Sequence, residues 1–431
     1  MQINVGVLGL GTVGGGTVNV LARNGELLRA RTGCDIRIKH AATRTPSRAD
    51  DLDISPEIVS SDVNRVLDDP DIHVVAELIG GVEPAREYVL RAIASGKSVV
   101  TANKELIAKH GAEIGAAAAQ KGVHFRFEGS VAGGIPIVAS LRESLVGNRI
   151  THLMGILNGT TNYILTKMTR EGLDFADVLQ EAQTLGYAES DPTADVDGFD
   201  AMYKLAILAN IAFGQRVELD QILREGIRGV GARDIEYARE MGFVIKLIAL
   251  ARQHPNGEIE LRVHPALLPI SHPLANVNDV FNGVLVHGDA VGDVMFYGRG
   301  AGAEPTASAV VADLAEVARD IKSGAQMLQD IANSSTRNDA RIEAFADIET
   351  RFCIRMQVAD RPGMLAQIAT EFGAQGVSLD SIVQKKSDGE TAEIFWMTHR
   401  TRQSSMTSSL AAFAQMDAVR EVSSVLRVEG E

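Results

Sequence analysis

Residues 2–9 (QINVGVLG) form a short apolar run, which breaks into Gly9-Leu10-Gly11-Thr12-Val13-Gly14 and passes directly into a helix pattern from about Thr12 to Arg31. This G-x-G-x-x-G spacing constrains the fold more than any other feature of the chain. The first glycine permits a tight turn. The second lets backbone approach a pyrophosphate, and the third lets the helix lie close to the strand, with its N-terminus facing the phosphates. As a bare pattern it is weak. Its place between a strand and a helix, at the head of repeated strand–helix spacing, makes it a dinucleotide fingerprint rather than a glycine-rich turn.

That spacing continues downstream. Strand patterns at Asp35–Ala42, His73–Ile79 and Lys97–Thr101 alternate with helical stretches at Pro84–Ser95 and Lys104–Lys121. Such alternation means βαβ units and a parallel sheet. The middle of the chain differs. It has glycine-rich joints (131–134, Asn158-Gly159), longer helices, and a hairpin pattern at 283–297. An α+β domain is expected there, with a helix from Ala307 to about Leu328 packing back on the first domain. After a polar joint the pattern changes again. FCIRMQV puts Phe352, Ile354, Met356 and Val358 on one face, and Asp360-Arg361-Pro362-Gly363 opens a helix with an apolar stripe of Met364, Leu365, Ile368, Ala369 and Phe372. Gly376 closes that helix. A hairpin around Ser387-Asp388-Gly389-Glu390, an Ala-rich helix near 407–416 and a last strand, VSSVLRV, complete a ferredoxin-like β-α-β-β-α-β unit. The expected fold class is therefore α/β with three domains: a Rossmann-type domain at 1–130, joined by 305–330; an α+β domain at 131–331; a linker at 332–348; and the ferredoxin-like unit at 349–431.

Composition narrows the function. A net charge of −14 with no cluster of lysine and arginine argues against a nucleic-acid or anionic-membrane partner. Two distant cysteines, Cys34 and Cys353, make neither a disulfide framework nor a Cys-rich metal site, and point to a reducing compartment. The N-terminus has no charged n-region, and the longest apolar runs fall short of a membrane span. A cytoplasmic protein is expected. No H-E-x-x-H or paired-cysteine zinc signature occurs, and the glycine loop lacks the G-K-[ST] ending of a nucleoside triphosphatase. His264, His272 and His287 read as structural.

The cofactor can be read further. An NAD site wants an acid near the end of the second strand, to accept from the ribose 2′-hydroxyl. This chain has His40-Ala41-Ala42-Thr43-Arg44 there, with Arg48 beyond, so NADP is favoured and NAD stays possible. Lys104 stands just past a strand end, where ligands sit in open α/β sheets. It can contact a nicotinamide, a phosphate or a carboxylate. The segment Gly186–Lys204 (GYAESDPTADVDGFDAMYK) gathers Glu189, Asp191, Asp195, Asp197 and Asp200 ahead of Lys204. Asp200 and Lys204 are four apart at the start of a buried helix pattern and share one face. They are either a helix-end ion pair or a proton donor held by its carboxylate. With a hydride donor upstream, carbonyl reduction needs such a donor for the forming alkoxide. Glu189 and neighbouring carboxylates would receive a cationic group of the substrate.

The motifs GLGTVG (9–14), TANK (101–104), EGSVAGGIP (128–136), GILNGTTNYIL (155–165), GYAESDPTADVDGFDAMYK (186–204), GRGAGAEPTASAVVADL (298–314) and ADRPGMLAQIA (359–369) together resemble the homoserine dehydrogenases of the long bacterial type, which end in an ACT domain. The similarity spans essentially the whole chain and implies that 131–331 is the substrate-binding, catalytic and dimerisation domain. It implies reversible NAD(P)H-dependent reduction of L-aspartate 4-semialdehyde to L-homoserine, on the route to threonine, methionine and isoleucine. It implies Lys204 as proton donor and Lys104 at the cofactor and reacting centre. Gly186, Glu189 and Asp200 fall to the amino-acid substrate. Gly9, Gly11, Thr12, Val13, Gly14, Arg44, Lys104 and Gly302 fall to the cofactor. The family also takes a monovalent cation, Na⁺ or K⁺, which here would sit on Glu128 and the carbonyls of Val131, Gly133 and Ile135. Ala194 departs from members that carry an acid at that position. An ACT domain implies a small amino-acid effector near Gly363, threonine by resemblance, and a homo-oligomer, dimer or tetramer. Two other readings share the motifs: an enzyme acting on another amino-acid aldehyde or ketone, and a sensor that binds without turnover.

Overall fold

The computed structural model describes residues 1–325, 339–387 and 389–430. They form two compact units: residues 1–159, 200–222 and 280–340, and residues 160–199, 223–279 and 341–431.

The first unit is built on a six-stranded parallel sheet. Its elements run β1 (Gln2–Leu8), α1 (Thr12–Thr32), β2 (Asp35–Ala42), β3 (Val59–Ser60), α2 (Asn64–Leu67), β4 (Val74–Glu77), α3 (Ala85–Ala94), β5 (Ser98–Thr101), α4 (Lys104–Lys121) and β6 (Phe125–Arg126). The strand order is β3-β2-β1-β4-β5-β6, so the chain reverses its direction of travel between β1 and β4. β4 and β5 are buried at every position. That is why their apolar residues stand side by side, Val74-Val75-Ala76 and Val99-Val100, and not in alternation, as in parallel strands covered on both faces. Helix Ala303–Ser323 lies along α1, and Val310, Leu314 and Val317 join Ile3, Val5, Val7, Val18 and Leu21 in one core. The helix pattern expected to reach Leu328 stops at Ser323; residues 326–328, and 332–338 of the expected linker, lie outside the described residues. The unit also holds three antiparallel strands in the order Gly292–Arg299, Phe281–Gly288, Ile150–Ile156. The last of these was not anticipated.

The second unit holds helices Gly159–Glu171, Phe175–Thr184 and Ala232–Glu240, and a long hairpin of Phe243–Gln253 with Ile259–Pro269. This hairpin also escaped the sequence reading, although Pro255-Asn256-Gly257 between two β-rich runs is a turn signal. The C-terminal βαββαβ appears as expected: strand Glu349–Ala359, helix Met364–Ala374, strands Leu379–Ser387 and Thr391–Thr398, helix Gln403–Phe413 and strand Val419–Val428. Asp388 of the expected hairpin turn is outside the described residues. Phe352, Ile354, Met356 and Val358 are fully buried against Met364, Ile368 and Phe372. Leu365, expected in the same stripe, is instead exposed, because it stands one residue off the Met364–Ile368–Phe372 line and faces away from the sheet.

The C-terminal sheet does not end at its own border. Strand Val419–Val428 pairs in parallel with Ile259–Pro269 through Ala266–Arg427 and Leu267–Val428. Just beyond it, Glu429 sits 2.8 Å from Arg262 and 3.4 Å from His264, all three buried. Burial raises the Glu429 carboxyl, but the Arg262 charge and the His264 contact overcome this and bring it down to about 2. Its folded value is depressed, so its stabilisation is complete above its unfolded range and is lost as pH falls towards 2. Glu429→Gln should cost about 3 kcal/mol at pH 7 and flatten the loss of stability between pH 4.5 and 2 in urea titrations. An unchanged acid profile would refute this assignment.

Candidate active site

The carboxyl ends of the parallel strands carry the first half of the site. Gly9 follows β1 with φ 98°, and a Cβ there would stand 2.6 Å from the Leu78 carbonyl. A Cβ on Gly14 would lie 1.9 Å from the Gly9 carbonyl, so the strand–helix turn closes only with glycine at both positions. Gly11, at the start of α1, differs: an added Cβ would meet nothing nearer than Arg48, 4.0 Å away. The space in front of it belongs to a cavity of about 480 Å³ lined by Gly9, Gly11, Thr43, Arg44, Arg48 and Gly80, among others. Thr12, Val13 and Gly14 form the first turn of α1 behind it. Arg48 reaches back and donates to the Leu10 carbonyl at 3.3 Å, while Arg44 is exposed at the rim beyond β2. A glycine turn at a helix N-terminus, opening on a cavity with two guanidiniums at one end, fits an anionic dinucleotide. Gly302 starts helix Ala303–Ser323 with φ 123° and is not among the residues lining this cavity.

The second half is a cluster of charges on Asp200. Helix Phe199–Phe213 is apolar along most of its length, which explains why its first two turns are buried. Asp200 and Lys204 lie on one face of it, both at least nine-tenths buried. Lys204 Nζ donates to Asp200 Oδ2 at 2.7 Å and to the Leu157 carbonyl at 2.7 Å. Lys104, the first residue of α4 and about half exposed, brings its Nζ to 2.7 Å from Asp200 Oδ1. Asn158 donates to Asp200 Oδ2 at 2.8 Å. Burial alone raises the Asp200 carboxyl, but the ammonium groups of Lys204 and Lys104 reverse this and hold it well below the ordinary carboxylate range. One carboxylate thus anchors two lysines that are 100 residues apart in sequence.

Asn158 and the Leu157 carbonyl were missed as site groups. Asn158-Gly159 read as a joint and as part of the 155–165 motif, with no role given to either group, and nothing in the local pattern says that the chain there ends strand Ile150–Ile156 beside Lys204. Asn103 was missed too, although TANK carries the signal: an asparagine three residues ahead of Leu106, whose N–H it accepts at 3.1 Å, caps α4 and sets the start of the helix that carries Lys104.

Glu128 is buried, and its two carboxylate oxygens accept from the Val138 and Ala139 amides at 2.9 and 2.6 Å. Burial raises its carboxyl, with those amides opposing. Ala132 and Gly133 both have left-handed backbone, with φ 54° and 53°, and the Ile135 carbonyl accepts from Ile137. Both Glu128 oxygens and the Ile135 carbonyl thus already accept from backbone amides. Asp313, also buried, accepts from the Glu128 amide at 2.8 Å; sequence reasoning gave it no role.

Gly186 and Glu189 belong to the second unit. Gly186, with φ 76°, turns the chain after helix Phe175–Thr184, and Glu189 is exposed. Asp197 pairs with Arg228 at 2.6 Å, and Asp191 accepts from the Thr193 amide, so both have structural partners. His254, Glu260 and Glu343 come within reach of one another in this unit. Arg252 and Arg262 stand 3.3 and 2.5 Å from Glu260, and these guanidiniums already supply the counter-charge. Both cysteines are free and buried.

Family models match three stretches of the chain: homoserine dehydrogenase, NAD binding domain, over residues 9–128; homoserine dehydrogenase over 136–315; and ACT domain over 354–415. A homoserine dehydrogenase from Synechocystis sp. is 47% identical over 99% of this chain and all of its own length. One from Pseudomonas aeruginosa is 46% identical over 99% of both. Among solved structures, a homoserine dehydrogenase from Thiobacillus denitrificans superposes with a TM-score of 0.94 at 46% identity, over the whole of this chain and 98% of the other. A hyperthermophilic archaeal homoserine dehydrogenase in complex with NADPH superposes at 0.63, with 28% identity, over 74% of this chain and 98% of that one.

Proposed function

The chain belongs to the homoserine dehydrogenase family, and from that premise we propose that it reduces L-aspartate 4-semialdehyde reversibly to L-homoserine, with NADPH preferred over NADH. The observation that carries this reading is the pair of lysines on the buried Asp200 carboxylate, within one unit with the glycine-turn cavity. A bound nicotinamide cofactor supplies the hydride. Lys204 gives a proton to the substrate oxygen as it becomes an alkoxide, and Asp200 holds that ammonium in place. Lys104 sits at the cofactor and reacting centre, where a second positive charge steadies the same developing anion. Gly186 and Glu189 are assigned to the substrate, the Glu189 carboxylate to its ammonium. Gly302, Thr12 and Val13 are assigned to the cofactor. Preference for the 2′-phosphate rests on Arg44 and Arg48, and is supported by the NADPH named with the archaeal relative.

A monovalent cation is assigned to Glu128 and the carbonyls of Val131, Gly133 and Ile135. The C-terminal unit, with Gly363 at φ 87° opening helix Met364–Ala374, is assigned to feedback by threonine. A homo-oligomer, with a cytoplasmic location, completes the reading. Among the described residues no helix is long and apolar enough to cross a membrane.

Initial rates test all of this together. Aspartate semialdehyde should oxidise NADPH faster than NADH at equal subsaturating concentrations. Replacing Na⁺ and K⁺ by tetramethylammonium at constant ionic strength should slow the reaction, and threonine should inhibit it. No turnover with either cofactor would sink the activity. Full activity at saturating threonine would remove the regulatory part alone.

A further inference from the structure

Glu77, the last residue of β4, is fully buried, and none of its described partners is a cation. Its Oε1 accepts from the amides of Ile79 and Gly80, at 2.8 and 3.3 Å. Its Oε2 accepts from the Thr101 hydroxyl at 2.6 Å. The two oxygens thus face two different segments. Ile79 and Gly80 line the dinucleotide cavity. Thr101 ends β5, and its Oγ1 also accepts from the Asn103 amide at 3.0 Å. Asn103 caps α4 and donates its side-chain amide to the Gly81 carbonyl at 2.6 Å. Lys104 is the next residue. A closed ring of hydrogen bonds therefore runs from the cavity wall, through one carboxylate, to the backbone that aims Lys104.

Burial pushes the Glu77 carboxyl above its ordinary range, and the four hydrogen-bonding groups around it oppose that push. Neutral acceptors or water can satisfy two turn amides without a buried acid. Glu77 is distinctive here because it accepts on both sides in each of these hydrogen bonds, so the turn and the strand end are held by one rigid plane. We propose that Glu77 is a positioning residue that couples the 79–81 turn of the cofactor cavity to Lys104, so that the cavity wall and the Lys104 ammonium move as one body. This rests on the placing of Lys104 at the reacting centre given above.

Thr101→Val cuts the link and preserves side-chain shape, while Thr101→Ser preserves the hydroxyl. Glu77→Gln keeps an acceptor for the turn and puts an NH₂ where the Thr101 hydroxyl donates. Each is measured for melting temperature, for NADPH affinity by fluorescence, and for kcat and KM per NADPH-binding site, so unfolded protein does not count. Thr101→Val and Glu77→Gln should lower kcat by about tenfold or more, with NADPH affinity changed less than about threefold. Thr101→Ser should restore most of the rate. In a Lys104→Ala background the same two substitutions should add less than about a twofold further loss, because residues acting through one group are not additive. A full additional loss in that background, or wild-type kcat in both variants while Lys104→Ala is crippled, overturns the coupling. Wild-type kcat in Lys104→Ala itself overturns the placing of Lys104 instead, and so marks a different failure.

Discussion

Replacing Lys204 by alanine should lower kcat for aldehyde reduction by about 10²–10⁴-fold, the range that removal of a positioned proton donor commands, if the role proposed for it holds. NADPH binding should stay within about a few-fold of the parent. The reason is geometric. Lys204 points at Asp200 and the Leu157 carbonyl, both 2.7 Å away, and is not among the residues that line the glycine-turn cavity. Stopped-flow or steady-state rates, paired with a fluorescence titration of NADPH, check both halves. A variant that loses NADPH binding in proportion to its rate would show that Lys204 supports the cofactor and not the proton.

Asp200→Asn has the second large effect, and it reaches stability as well as rate. The carboxylate accepts from three donors: Lys104, Lys204 and Asn158. An asparagine turns one of its two oxygens into a donor, so at least one of the three loses its acceptor. The buried Lys204 charge also loses its compensation. Breaking one side of a buried pair costs about 3–5 kcal/mol, and the half-exposed Lys104 moderates this towards the low end. kcat should fall by at least about 100-fold, because the ammonium proposed as the proton donor is no longer held. Urea titrations with and without NADPH separate the two losses. The pH dependence has a definite sign. Asp200 is held well below the ordinary carboxylate range, so its stabilisation is complete above its unfolded value and is lost only as pH falls below it. The parent should therefore be destabilised by acid through this group, and Asp200→Asn should lack that component. Equal stability of parent and variant at pH 7 would mean that the pair is surface-like and that the burial argument fails.

The local signals that proved legible share one property: each is a short stretch whose chemistry is complete within itself. G-x-G-x-x-G specifies its own turn, because Gly9 needs positive φ and Gly14 must touch the Gly9 carbonyl. Strand alternation at Phe352–Val358 specifies its own buried face. The cap that Asn103 gives the helix starting one residue later is a signal of the same kind, though it went unread. Leu365 shows the limit, since helical spacing alone did not tell the edge of an apolar stripe from its centre, and the residue faces solvent. The hairpin Phe243–Pro269 shows another, since its buried strands resemble any apolar run.

The chain order of residues was enough to establish a dinucleotide fold at the start, a ferredoxin-like unit at the end, and two lysines and an acid as candidates for chemistry. Motif resemblance, more than spacing, turned those candidates into a reaction. The folded chain supplied what separation in sequence hides. Lys104, Asn158, Asp200 and Lys204 become one hydrogen-bonded cluster only when β5, the end of strand Ile150–Ile156 and helix Phe199–Phe213 converge. Glu77 becomes a link between a cavity wall and a lysine only when β4 and β5 lie side by side. The physical reason is the range of the interactions. Turns, caps and faces are set by neighbours a few residues away, whereas charge pairing and burial depend on which distant segments share a low-dielectric site.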